Sequence, residues 1–179
     1  MTETKDLYAV DGCVFTEGNF IGLSDRFKNS YLTAFFLTTP GETEGYRECT
    51  SKIGGLYNSA DAPGSDVLIA RTTADIERAK RENKKAIIIT FQDPQCVENS
   101  IDKLRVMYEL GLRVMQMTYN KSNYIGTGCT ETVDGGLTDF GREALAKMNE
   151  WGIVADVSHC GHKTTTDVKK KRKKPIVIS

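Results

Sequence analysis

Hydrophobic positions fall into short runs, and between them apolar residues recur at helical spacing. Tyr8-Ala9-Val10 leading to Cys13-Val14-Phe15 reads as a first strand, and Tyr31–Leu37 as a second, closed by Pro40-Gly41. Glu42–Leu56 reads as a helix whose end is weakened by Gly54-Gly55. Val67–Ala70 predicts a short strand, after which Thr72 or Thr73 caps a helix with Ile76 and Ala79 on one side. Ala86–Phe91 is continuously apolar and β-branched, the pattern of a strand covered on both faces. Val97, Ile101, Leu104 and Tyr108 predict a helix ended by Gly111, and Val114–Tyr119 the next strand. The polar, glycine-bearing stretch from Asn120 to Gly136 is a loop long enough to suspect function. Leu137, Phe140, Ala144, Leu145, Met148 and Trp151 mark one face of a helix stopped by Gly152. Ile153–Val157, a short Thr-led helix and Pro175–Ile178 complete the series.

Strands alternating with helices of this length imply right-handed βαβ units and a parallel sheet. Two architectures satisfy that order, an open doubly wound sheet and a (β/α)₈ barrel. No glycine-rich phosphate loop follows an early strand, and Gly126-Thr127-Gly128 is only a fragment of one, so the barrel is favoured. A complete barrel takes about 250 residues. The 179 residues are therefore expected to form a single partial α/β domain, 1–179. It would be an incomplete TIM-type barrel with about the first five to six strands of the usual eight.

Composition narrows the class of function. An apolar share of 39% excludes a wholly disordered chain. The 24 basic residues balance 24 acidic ones, which gives no overall electrostatic case for nucleic acid or an anionic membrane. The basic run Lys169–Lys174 follows a helix with only Val168 as an apolar anchor. It reads as a solvated face, the other reading being a nuclear-localisation or polyanion patch. No apolar run approaches the ~20 residues of a membrane span. Met1–Asp6 lacks the apolar stretch of a secretory signal, so a soluble cytoplasmic protein is expected. The five cysteines are odd in number and include no C-x-x-C pair, which reads as free, mostly buried thiols.

In a parallel barrel the reactive groups sit where strands end at their C-terminal side. Those positions are Cys13 and Phe15, Gln92 and Asp93, Tyr119 and Asn120, and Ser158 to His162. Both histidines of the chain, His159 and His162, fall in the last group. Imidazole is the commonest zinc ligand, although a strand-end histidine also serves as a hydrogen-bonded structural residue. His162 is expected to be exposed at the start of a helix.

The ordered series Gly111–Asn120, Asn123, Gly126–Glu131, Asp134–Glu143, Met148-Asn149, Asp156–His159, Lys163-Thr164 and Lys174–Ser179 resembles the membrane (renal-type) dipeptidases, peptidase family M19. The resemblance is closest from Ala86 to His159 and extends back to Asp11. It implies a (β/α)₈ barrel holding two zinc ions bridged by a carboxylate. A metal-bound hydroxide there attacks the peptide carbonyl of a dipeptide while the metals stabilise the oxyanion.

Carried over residue by residue, the resemblance departs from the family at the metal. Asp11-Gly12 begins the first-strand motif, but Cys13 stands at a His ligand and Phe15 at an Asp ligand. Gln92 occupies the position of the bridging Glu, and a neutral amide supplies no charge to hold two dications together. Tyr119 replaces a substrate-binding His, whereas His159 matches a ligand. A further ligand would fall at the position after Ser179. Gln92-Asp93-Pro94 also resembles a divergent branch that carries Gln at this place, and a Cys13 thiolate is itself a possible zinc ligand. The family implies a zinc metallopeptidase acting on dipeptides, and the substitutions imply that this chain is inactive or impaired. The alternatives are a catalytically dead half-barrel that binds partners or forms homo-oligomers, and a truncated gene product.

Overall fold

Seven short parallel strands alternate with helices along the residues that the computed structural model describes, 7–15, 27–40 and 44–179. The strands are β1 (Val10–Val14), β2 (Ala34–Thr38), β3 (Val67–Ile69), β4 (Lys85–Phe91), β5 (Leu112–Gln116), β6 (Val154–Asp156) and β7 (Ile176–Val177). The helices are α1 (Tyr46–Asp61), α2 (Thr73–Arg81), α3 (Ile101–Glu109), α4 (Asp139–Trp151) and α5 (His162–Lys171), with a 3₁₀ turn at Pro94–Val97. Met1–Asp6, and Gly41 and Glu42 at the expected start of the first helix, lie outside the described residues.

Alternation along the strands sorts side chains onto two faces. Phe35, Leu37, Ile87 and Ile89 point to the helices and form one core with Ile53, Leu104 and Met107. Ala34, Phe36, Ala86, Ile88, Val114 and Val154 point the other way and form a second cluster inside the curled sheet. The strand order β1-β2-β4-β5-β6-β7 is that of an incomplete α/β barrel, as the alternation of elements predicts. β3 stands beside this arc. It pairs with Lys85–Ile87 of β4, and β5 pairs with Ile89–Phe91. Arg113 fills the junction: its Nε donates to the Arg71 carbonyl at 2.7 Å, Nη1 reaches the Tyr108 carbonyl at 2.9 Å, and the guanidinium lies 4.4 Å from the Tyr108 ring.

Of the element boundaries that differ from the sequence reading, two have a clear physical reason. α1 runs on to Asp61 because Cys49, Ile53 and Leu56 bury one stripe while Gly54 and Gly55 face open space, where a missing side chain forfeits no packing. β2 starts at Ala34 because Tyr31, 87% exposed, has no covering layer. The thiols also divide differently from the expectation of mostly buried cysteines: Cys49 and Cys96 are buried, Cys160 is half-buried, and Cys13 and Cys129 are exposed.

The weak apolar pattern of α5 has a physical counterpart. Only Thr164 and Val168 are buried, and polar contacts to the loop between β5 and α4 supply the attachment. Thr164 Oγ1 donates to the Thr127 carbonyl and accepts from the Thr127 amide. Asp134 accepts from the Lys163 amide at the helix start, and Asp167 accepts from the Leu137 amide. Lys169–Lys174 are all exposed, and none forms an ion pair with a described residue. No helix among the described residues is long and apolar enough to cross a membrane.

Candidate functional site

The C-terminal ends of the strands converge on one mouth, and a bulge in β1 prepares it. Asp11 pairs with Phe35 and Val14 with Leu37, so three steps on β1 oppose two on β2. The extra residue lets both Gly12 and Cys13 face inward, a use to which bulges beside sites are commonly put. Asp11 Oδ1 accepts from the Cys13 amide at 3.1 Å and steadies the irregular backbone. Gln92, just past β4, then donates from Nε2 to Cys13 Sγ at 3.1 Å. The two positions that the resemblance gives to a His ligand and the bridging Glu are thus close together, and here they hold a cysteine and a glutamine bonded to each other.

His159 and Tyr119 form a second group. Their rings lie 4.5 Å apart, and His159 Nδ1 meets Asn120 Oδ1 at 2.8 Å. An amide oxygen only accepts, so this contact pairs with the tautomer that carries its proton on Nδ1. Both His159 and Asn120 have positive φ, 57° and 58°, conformations uncommon for residues with a side chain. The loop between β5 and α4 holds them there: Thr118 Oγ1 and the Cys129 amide both donate to the His159 carbonyl. Gly128 packs so closely on the Asn120 carbonyl that no Cβ fits. The loop between β5 and α4 thus fixes the turn that carries His159.

Beyond β7, Ser179 closes the ring of contacts. Its hydroxyl donates to Asp156 Oδ2 at 2.6 Å, and its amide donates to Ser158 Oγ at 2.9 Å. A Cβ on Gly12 would lie 3.8 Å from Ser179, in van der Waals contact, so the residue just past β7 reaches β1. Asp93 is buried beside Gln92, accepts from the Gln95 amide at 2.8 Å and faces Asn123 Nδ2. Burial raises the Cys160 thiol to about 11, so it is no ready nucleophile. His162 is exposed at the start of α5, as expected, and Phe15 is exposed at 56%.

The donors do not fit a carboxylate-bridged zinc pair. Gln92 carries no charge, Phe15 has no donor atom, and among the described residues no three His, Cys, Asp or Glu side chains are grouped to hold a metal. Two contributors were missed by sequence reasoning: Thr38 at the end of β2, and the link of Asp156 to Ser179. Counting in twos from Ala34 and Phe36 places Thr38 on the inner face, so that signal was present. The Asp156 link joins residues far apart in the chain and has no local signature.

Comparisons with known proteins agree with this architecture. Residues 23–179 match the family model of membrane dipeptidase, peptidase family M19. An uncharacterized dipeptidase of Schizosaccharomyces pombe is 31% identical over 120 residues, covering 64% of this chain and 29% of the yeast protein. An amidohydrolase from Pseudomonas aeruginosa superposes with a TM-score of 0.89 at 36% identity over 97% of this chain and 52% of its own. The probable dipeptidase PvdM from the same organism gives 0.84 at 17% identity, over 98% and 52% of the two chains, a likeness of fold alone. A metallo peptidase from Rhodobacter sphaeroides, liganded with a phosphinate mimic of the dipeptide L-Ala-D-Ala, gives 0.69 at 19% identity, over 98% and 53%. The chain thus spans about half the length of these solved chains and less of the yeast relative. With the family model matched from residue 23 to the last residue of the sequence, the chain belongs to the membrane dipeptidase family, peptidase family M19.

Proposed function

We propose that this chain forms the part of a dipeptidase-type barrel that takes up small dipeptide-like amides, and that it binds them without two-zinc hydrolysis. One observation carries this reading, the hydrogen bond from Gln92 to Cys13 at 3.1 Å. It joins a cysteine and a glutamine at the two positions that the resemblance gives to an imidazole and a bridging carboxylate. Tyr119, His159 and Asn120 supply an aromatic face and polar groups of the kind that orient a small ligand. The test measures zinc per chain by elemental analysis after gel filtration, together with binding and turnover of L-Ala-L-Ala. Less than one zinc, with the dipeptide bound but not cleaved, is the expected result. Two zinc ions per chain and steady hydrolysis would overturn the proposal.

A second reading, assembly with another chain, has its own observation. Among the described residues the outer edges of β1 and β7 have no partner strand, and Tyr8, Val10 and Phe15 at the β1 edge are exposed. A homo-oligomer would cover them. Light scattering during gel filtration decides this, since a mass of 19.9 kDa across a range of concentrations would rule it out.

A further inference from the structure

Thr38 carries a buried polar group that the fold leaves unpaired. Its hydroxyl is the one buried side-chain polar atom without a hydrogen-bond partner among the described residues, and the residue is only 7% exposed. Thr90, paired with it on β4, shows the ordinary solution by returning its hydroxyl to the Ile88 carbonyl at 3.2 Å. Thr38 makes no such return bond. An unpaired buried hydroxyl lowers stability, and valine would fill the same volume without that cost.

The direction of the side chain follows from the strand. Phe35 and Leu37 belong to the helix-facing core, and Ala34 and Phe36 to the inner cluster, so Thr38 continues the inner row at its mouth end. In the sheet β2 lies between β1 and β4. Gln92 stands one inner position beyond Thr90 and Cys13 stands level with Phe36, so the Gln92–Cys13 hydrogen bond slants across β2 past Thr38. Cys13, Thr38 and Gln92 are thus brought together by three neighbouring strands, and Thr38 is the unsatisfied one.

We infer that Thr38 and Gln92 hold the peptide group of the ligand, Thr38 through its hydroxyl and Gln92 through its carboxamide. The chemistry matches: a hydroxyl and a primary amide each donate and accept, and a peptide group offers one carbonyl and one N–H. Neither contact calls for a charge or a metal. Because the hydroxyl is closed over in the free chain, entry of the ligand turns Gln92 away from Cys13 and exposes Thr38 beneath it. This inference rests on the reading that the mouth takes dipeptide-like amides and names the group that is recognised.

The test compares the full chain with its T38V and T38S variants, by calorimetric titration with L-Ala-L-Ala and by thermal unfolding without ligand. T38V is expected to raise the melting temperature by about 2–4 °C, since an orphaned hydroxyl is removed from a buried place. The same change is expected to weaken dipeptide binding about tenfold, while T38S, which keeps the hydroxyl, stays within about threefold of the parent. A lower melting temperature for T38V would show that the hydroxyl already has a partner, and would overturn the inference. Unchanged affinity in T38V, with the parent still binding, would overturn it while leaving the reading of the mouth intact. No binding of L-Ala-L-Ala by the parent chain would remove both.

Discussion

Replacing Asn123 by alanine tests how the site loop is held. The Asn123 side chain accepts from the Ile125 amide at 2.8 Å and the Gly126 amide at 3.2 Å, and donates to the Met117 carbonyl at 3.1 Å. Ile125 and Gly126 are both buried, so in N123A two backbone donors lose their acceptor where water has little access. Each stranded donor costs about 1–3 kcal/mol, and partial entry of water brings the expected total to about 3 kcal/mol. For a chain of this size that corresponds to a fall in melting temperature of roughly 6–12 °C. Urea unfolding followed by fluorescence and circular dichroism, with coincident transitions, gives the free energy directly. Y124A, one residue away at a half-exposed side chain, is the control and should change stability by less than about 0.5 kcal/mol. A loss below about 1 kcal/mol in N123A would refute the argument that this side chain organises the loop.

Three further outcomes follow from the geometry. G141A should fold poorly or lose more than about 3 kcal/mol, because its methyl meets the Ile125 carbonyl at the start of α4; G54A, with open space around it, should gain about 0.5–1 kcal/mol, both read from urea melts. In a C13S/C129S variant, alkylation of Cys160 followed by mass spectrometry should speed up about tenfold per pH unit and level off only near a pH of about 11; a plateau near pH 8 would contradict the effect of burial. At Asp75, burial works to raise the carboxyl, but hydrogen bonds from Thr72 and the Arg71 amide prevail and hold it below its ordinary value of 3.8. A lowered acid stabilises the fold fully above its unfolded value and loses that contribution as pH falls through the folded one, so D75N should flatten the stability profile below about pH 4.

The order of elements was legible because hydrophobic periodicity is local. The β4 run and the Gly152 stop, with its φ of 87°, are recovered where the sequence places them. Cys13, Gln92, Tyr119 and His159, all read from strand ends, do stand at one mouth. Other features depend on pairing between distant segments. The bulge that turns Cys13 inward is a mismatch of register between β1 and β2, which neither strand records alone. The end of α1 is decided by which residues its far turns touch, and the glycines that weaken it in isolation lie on the side facing solvent. The Asn120–His159 bond joins two loops through backbone conformations that ordinary propensities disfavour. No pattern along the chain announces such a pairing.

The way α5 is attached has a thermodynamic consequence for the residues next to it. A helix held by hydrogen bonds, with so little apolar surface buried, detaches with a small heat-capacity change and a shallow dependence on urea. Such a segment opens as a local unit well below the global transition, and its amides should exchange with solvent water sooner than those of β4. Since α5 is tied to the loop whose Cys129 amide bonds the His159 carbonyl, the imidazole's orientation would fluctuate with this partial opening, while the strands that carry Cys13 and Gln92 stay in place. Hydrogen exchange would thus divide the mouth into a steady side and a breathing side.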